Sequence, residues 1–154
     1  MADEPVSMLD VSVRAGVLNL LQKLSDELNL TTLYISHDLS LIRYMCDTTA
    51  VMYLGQICEI GPTDRVITRP RHPYTKALIS SVPVPDPDVR TKALEISRTV
   101  PTPINLPPGC RFRGRCPFVM KRCRQEVPPE YDFGGGHRAR CYLHEDGEIE
   151  IPMC

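Results

Sequence analysis

Asp3 and Glu4 stand side by side near the start of a 154-residue chain, and His37 ends the apolar run TTLYISH. An adjacent Asp-Glu pair suits phosphate chemistry, where one carboxylate supports a metal ion and the other polarises an attacking water. Such pairs usually end a buried strand that fixes their geometry, yet only Met1 and Ala2 precede this one. A histidine closing a strand just before a helix lies where ligands collect in α/β sheets. A second group is built on sulfur: Cys110, Cys116, Cys123 and Cys141, with five, six and seventeen residues between them. Four thiolates can hold zinc or an iron–sulfur cluster, because loops bring distant ligands together. These gaps match neither the close cysteine pairs of typical zinc sites nor the ferredoxin run.

The composition fits a globular chain, with 42% hydrophobic and 24% charged residues. A formal net charge of −1 gives no support to a nucleic-acid or anionic-membrane partner. No apolar run approaches the roughly 20 residues of a membrane-spanning helix, and no signal-peptide pattern is present. The chain therefore reads as intracellular, where clustered cysteines bind metal more often than they pair as disulfides.

Several elements must position these residues. Residues 10–28 have the apolar spacing of an amphipathic helix through Val13, Val17, Leu20, Leu21, Leu24 and Leu28, with Asp10 or Ser12 as cap. TTLYISH reads as a buried strand, and the segment after it as a helix capped by Asp38. Residues 49–61 read as a hairpin turning at Gly55-Gln56, followed by two short helices with proline near their starts. From Val82 the chain is proline-dense and reads as an extended connector. The expected fold class is α/β, with 1–81 as the α/β part, 82–109 as the connector and 110–154 as a small loop-rich, cysteine-containing metal-binding extension.

The order ADEP-VSMLD, followed 27 residues after Asp10 by the histidine of LYISHDLS, resembles the ATP-binding subunits of ABC transporters. The resemblance implies the C-terminal part of a P-loop NTPase domain, with Asp3 as the Walker B aspartate that supports Mg²⁺. Glu4 is then the catalytic carboxylate, His37 the switch histidine that meets the γ-phosphate, and Ser7, Leu9 and Asp10 belong to the D-loop. No G-x-x-x-x-G-K-[ST] loop and no LSGGQ-type signature occurs, and Gly134-Gly135-Gly136 cannot replace either. The chain is therefore expected to begin within Walker B, and to be inactive alone. Sheet edges lacking upstream strands are expected to favour self-association.

RPRHPYTKALISSVP, INLPPGCRFRGRCPFVMKRCRQEVPP and HRARCYLH closely resemble the C-terminal extension of di- and oligopeptide importer ATPases. That resemblance implies ATP and Mg²⁺ in the intact subunit, and peptide, nickel or sugar as cargo. It implies a second ATPase subunit and membrane permease subunits as partners, and a cytoplasmic place at the inner face of the membrane; the near-neutral charge and few aromatics argue for no nucleic acid. Some members carry a [4Fe–4S] cluster at positions matching the four cysteines, and zinc is the other metal considered. The rest of the reading is disulfides or unmetallated thiols. The surrounding Arg111, Arg113, Arg115, Lys121, Arg122 and Arg124 would lower the electrostatic cost of an anionic cluster. Cys46 and Cys58 are expected in the core, Cys154 lies outside the group, and His137 and His144 are either substitute ligands or surface residues. The rival reading is a stand-alone four-cysteine metal-binding regulatory module without ATPase activity.

Overall fold

The structure, a computed structural model, describes residues 1–82, 96, 104, 106–147 and 149–151. The connector expected over 82–109 lies outside the described residues apart from Val82, Ile96, Ile104 and 106–109, and Cys154 lies outside them too. The chain forms two compact units, Met1–Asp47 and Thr48–Cys154, and mixes α and β in both.

In the first unit, β1 (Ala2–Asp3) pairs in parallel with β2 (Tyr34–Ile35). The connection between them contains α1 (Val11–Glu27), and α2 (Leu39–Met45) follows β2. Asp38 caps α2, its side chain accepting from the N–H groups of Ser40 and Leu41. A cap of this kind contributes about 1 kcal/mol. Asp10 occupies the N-cap position of α1 without a side-chain cap bond, so neither Asp10 nor the in-helix Ser12 plays the expected role. The core is Val6, Leu41 and Ile42, joined by Leu9, Val17, Leu18, Tyr34, Met45 and Cys46.

The apolar stripe of α1 is not a buried face in this unit. Leu20, Leu24 and Leu28 are 56%, 40% and 62% exposed. Helical spacing reports that an apolar face exists; the two short strands and α2 offer too little surface to cover it.

In the second unit, β3 (Thr48–Tyr53) and β4 (Gln56–Pro62) form an antiparallel hairpin. Tyr53 pairs with Gln56, so the turn is Leu54-Gly55, one residue earlier than expected. Both turn residues have positive φ, +47° and +74°, as a two-residue hairpin turn requires. Along β3 the buried residues alternate as Thr49, Val51 and Tyr53. In β4 the register slips opposite Val51 and Met52, and Cys58 and Glu59 are both buried as a result. The sheet continues through β6 (Arg138–Ala139) to β5 (Tyr131–Asp132), in the order β3-β4-β6-β5. These two-residue strands are too short to leave an alternating pattern in the sequence.

Two helices follow the hairpin, α3 (Thr63–Thr68) and α4 (Pro73–Ser80). Pro62 is the N-cap of α3 and Pro73 opens α4, where a missing N–H costs nothing. The aromatic core is Tyr53, Tyr74 and Phe112, with ring centroids 4.7–5.3 Å apart. Phe112 is 1% exposed, and burying a side chain of this kind stabilises by about 1.5–3 kcal/mol. Among the described residues, no helix is long and apolar enough to cross a membrane.

Candidate functional site

The first unit brings Glu4 and His37 together although 33 residues separate them. The N–H of Ala2 donates to the Leu33 carbonyl at 2.8 Å, and that of Glu4 to the Ile35 carbonyl at 2.9 Å. Glu4 ends this ladder with φ at +44°, a conformation that costs a non-glycine residue about 1–3 kcal/mol. Its carbonyl is held by Ser7, which donates from its N–H at 3.3 Å and from its hydroxyl at 3.1 Å. The Glu4 side chain then accepts on Oε1 from the His37 N–H at 3.3 Å and meets His37 Nδ1 at 2.6 Å.

Hydrogen bonding to Glu4, and then the charge of its carboxylate, raises the pKa of His37 above its ordinary 6.5. The carboxylate thus favours the imidazolium. A raised native pKa means the contact stabilises fully below about pH 6.5 and is lost as pH rises through the native value. An NMR titration should place the His37 midpoint above 6.5, and Glu4→Gln should bring it down. A midpoint that ignores Glu4→Gln would contradict the pairing.

Glu4, Ser7 and His37 line a cleft of about 60 Å³ together with Arg14, Ser36 and Asp38. That is far below the roughly 300 Å³ of small ligand pockets. Asp3 and Asp10 are exposed and do not line it. Arg14 is a lining cation that sequence reasoning missed; it sits in an amphipathic helix pattern and carries no motif of its own. Its Nε donates to the Leu9 carbonyl at 2.8 Å, tying α1 to the loop before it. The arrangement can present a carboxylate and an imidazolium to a small polar group.

The second unit gathers the four cysteines. The Cys110 N–H donates to the Cys123 carbonyl at 2.8 Å, and Cys110 and Cys116 pack against the Tyr53, Cys58 and Phe112 cluster. The Arg113 N–H donates to the Cys110 carbonyl at 3.2 Å, and the Cys116 N–H to the Phe112 carbonyl at 3.1 Å. Burial pushes the Cys110 thiol up, that of Cys116 to about 11 and that of Cys141 to about 12. The neighbouring cysteines add to each shift, so the four lie within electrostatic reach of one another. Burial thus favours the protonated thiols of Cys110, Cys116 and Cys141, and a metal would have to displace those protons.

In kind, this donor set suits a thiophilic metal or cluster: four sulfurs, with Gly109 at a place where a Cβ would lie 2.4 Å from the Cys123 carbonyl oxygen. The spacing departs from expectation. Among the described residues, no three His, Cys, Asp or Glu side chains form a group that could hold a metal ion.

The remaining expectations divide. Cys46 is half-buried against the first core and Cys58 is buried in the second. His137 and His144 are not surface residues, being 3% and 4% exposed. His137 Nε2 meets Glu59 Oε1 at 2.7 Å, and His144 Nε2 donates to the Arg71 carbonyl at 2.7 Å. Several arginines brace loops: Arg111 donates to the Leu54 carbonyl, Arg113 to the Pro107 and Cys110 carbonyls, and Arg122 pairs with Glu145.

Residues 58–123 match the family described as the oligopeptide/dipeptide transporter C-terminal region. Over 141 residues the chain is 48% identical to a Brucella ovis protein provisionally named a peptide import ATP-binding protein, covering 92% of this chain and 44% of that one. It is 45% identical over 152 residues to a Bacillus subtilis protein provisionally named an oligopeptide transport ATP-binding protein, covering 97% and 46%. It is 49% identical over 135 residues to the dipeptide transport ATP-binding protein of Escherichia coli, covering 88% and 40%. The chain thus spans less than half the length of these relatives.

Proposed function

We propose that this chain, which belongs with the ATP-binding subunits of peptide ABC transporters, supplies the water-activating part of an ATP-hydrolysing site. The observation that carries this reading is Glu4 Oε1 held 2.6 Å from His37 Nδ1 by the β1–β2 pairing. Glu4 acts as the carboxylate that orients and polarises the attacking water. His37, whose imidazolium Glu4 favours, donates in that form through both ring nitrogens, one to the carboxylate and the other to a phosphate oxygen. Ser7 fixes the Glu4 carbonyl from the D-loop, which also contains Asp10, and Asp3 supports the metal through water. Magnesium bound with ATP supplies neutralising charge at the phosphates.

These 154 residues contain no phosphate-cradling glycine loop, so the chain alone is inactive in this reading. Magnesium-dependent ATP hydrolysis by the purified chain tests that. Turnover that Glu4→Gln abolishes would overturn the inactivity and keep the role of Glu4; turnover that survives Glu4→Gln would overturn both. The names of the relatives support peptide as the cargo, with a second ATPase subunit and membrane permease subunits as partners at the cytoplasmic face. In this reading residues 1–81 belong to the nucleotide-binding domain, 82–109 connect, and 110–154 form the extension. The exposed leucines of α1 support burial against another segment or chain.

The four cysteines serve, in the same reading, as a structural site for a [4Fe–4S] cluster or zinc. The presence of all four cysteines in one compact unit, within electrostatic reach of one another, supports it. Protein purified without oxygen should contain stoichiometric iron and sulfide, or zinc, and Cys116→Ser should lose it. No metal after reconstitution would remove this part of the reading. A stand-alone metal module finds less support, because the similarity to ATP-binding proteins extends over 92% of the chain.

A further inference from the structure

Arg14 stands in the first turn of α1, and its Nε donates to the Leu9 carbonyl at 2.8 Å. The loop that ends at Leu9 closes on itself, the Leu9 N–H donating to the carbonyl of the buried Val6 at 3.2 Å. The same loop carries Ser7, whose N–H and hydroxyl both hold the Glu4 carbonyl. A run of contacts thus leads from Arg14 to the strained residue that presents the Glu4 carboxylate. Arg14 also lines the Glu4–His37 cleft, and with it a groove of about 280 Å³ that shares Val6, Asp38 and Leu41 with that cleft. Three charged groups act on His37 there: Glu4 and Asp38 favour its imidazolium, and Arg14 opposes it.

We propose that Arg14 is a positioning residue of the Glu4–His37 site, its Nε–H bracing the loop that clamps Glu4 and its charge standing beside His37. The inference rests on the water-activating reading above. The brace keeps Ser7 on the Glu4 carbonyl, and so keeps the carboxylate aimed. The charge opposes the pull of Glu4 on the imidazole proton and adds attraction for an anionic phosphate at the cleft.

Two substitutions in the full chain separate the brace from the charge. Arg14→Gln removes the charge and leaves an amide nitrogen at the place of Nε, whereas Arg14→Lys keeps a charge and puts a carbon there. NMR supplies both readouts, the His37 titration midpoint and hydrogen exchange at the Ser7 and Leu9 amides. Arg14→Gln should move the His37 midpoint further up, because a like charge is gone, with exchange close to wild type. Arg14→Lys should leave the midpoint close to wild type and speed exchange about three- to tenfold, as loss of one hydrogen bond allows. A merely structural arginine would move midpoint and exchange together in both variants, and that result would overturn the inference. A midpoint in Arg14→Gln that stays or falls, or unchanged exchange in Arg14→Lys, would overturn the role of Arg14 alone when Glu4→Gln still lowers the midpoint. A midpoint that ignores Glu4→Gln as well would overturn the pairing that carries the water-activating reading, and this inference with it.

Discussion

Gly109→Ala should destabilise the second unit by about 3–5 kcal/mol, near the top of the range for single substitutions. Two costs combine. The backbone holds φ at +98°, which an alanine adopts only with strain of about 1–3 kcal/mol. The new methyl would also lie 2.4 Å from the Cys123 carbonyl oxygen and 2.9 Å from the Arg124 carbonyl carbon, and main-chain atoms cannot swing aside as a side chain can. That same Cys123 oxygen accepts the Cys110 N–H, so any shift that relieves the contact breaks the bond joining the two cysteine loops. Gly114→Ala is the control, with nothing within 4 Å of its added carbon, and should change stability by less than about 0.5 kcal/mol. Urea denaturation of both variants decides the matter. Equal midpoints would show that the Gly109 turn does not hold the loops together.

Glu59→Ala should cost about 3–5 kcal/mol, as expected for removing one member of a buried polar set. Glu59 is 1% exposed and serves three donors: the Arg71 N–H at 2.8 Å, the His72 N–H at 2.9 Å and His137 Nε2 at 2.7 Å. Alanine leaves all three unmet, including the two that shape the turn before α4. His72 itself caps α4, accepting from the Tyr74 N–H at 3.0 Å, and burial holds its pKa down at about 3, which preserves the neutral acceptor. Glu59→Gln should fall between wild type and alanine, because its oxygen can still serve one side while its amide faces a donor on the other. Hydrogen exchange at the Arg71 and His72 amides should accelerate in both variants. A Glu59→Ala loss below about 1 kcal/mol would mean that water replaces the carboxylate without penalty.

The local parts of this fold were readable from the residues alone. Asp38 announces α2 because a cap and its helix are neighbours in sequence, and Pro73 announces α4 for the same reason. The Leu54-Gly55 turn was found to within one residue because only a few residue types accept that backbone. The family resemblance names Glu4 and His37 as members of one site, but their direct contact was not legible, since no local rule joins residues 33 apart. His137 escaped because its partner Glu59 lies 78 residues away, and a charged residue in a strand reads as solvent-facing. The register slip that turns Glu59 inward leaves no mark on composition. The four cysteines were legible as a donor set, while their arrangement depends on loop packing around Phe112 that no spacing rule encodes.

A chimera tests the roles of Glu4 and His37 in a complete ATPase subunit. In the dipeptide transport ATP-binding protein of Escherichia coli, the matched stretch of 135 residues is replaced by the corresponding residues of this chain, and magnesium-dependent ATP hydrolysis is followed. The chimera should hydrolyse ATP, at a rate reduced to background by Glu4→Gln and sharply lowered by His37→Ala. A hydrolysing chimera whose rate is indifferent to Glu4→Gln would contradict the role of Glu4 as the water-polarising carboxylate.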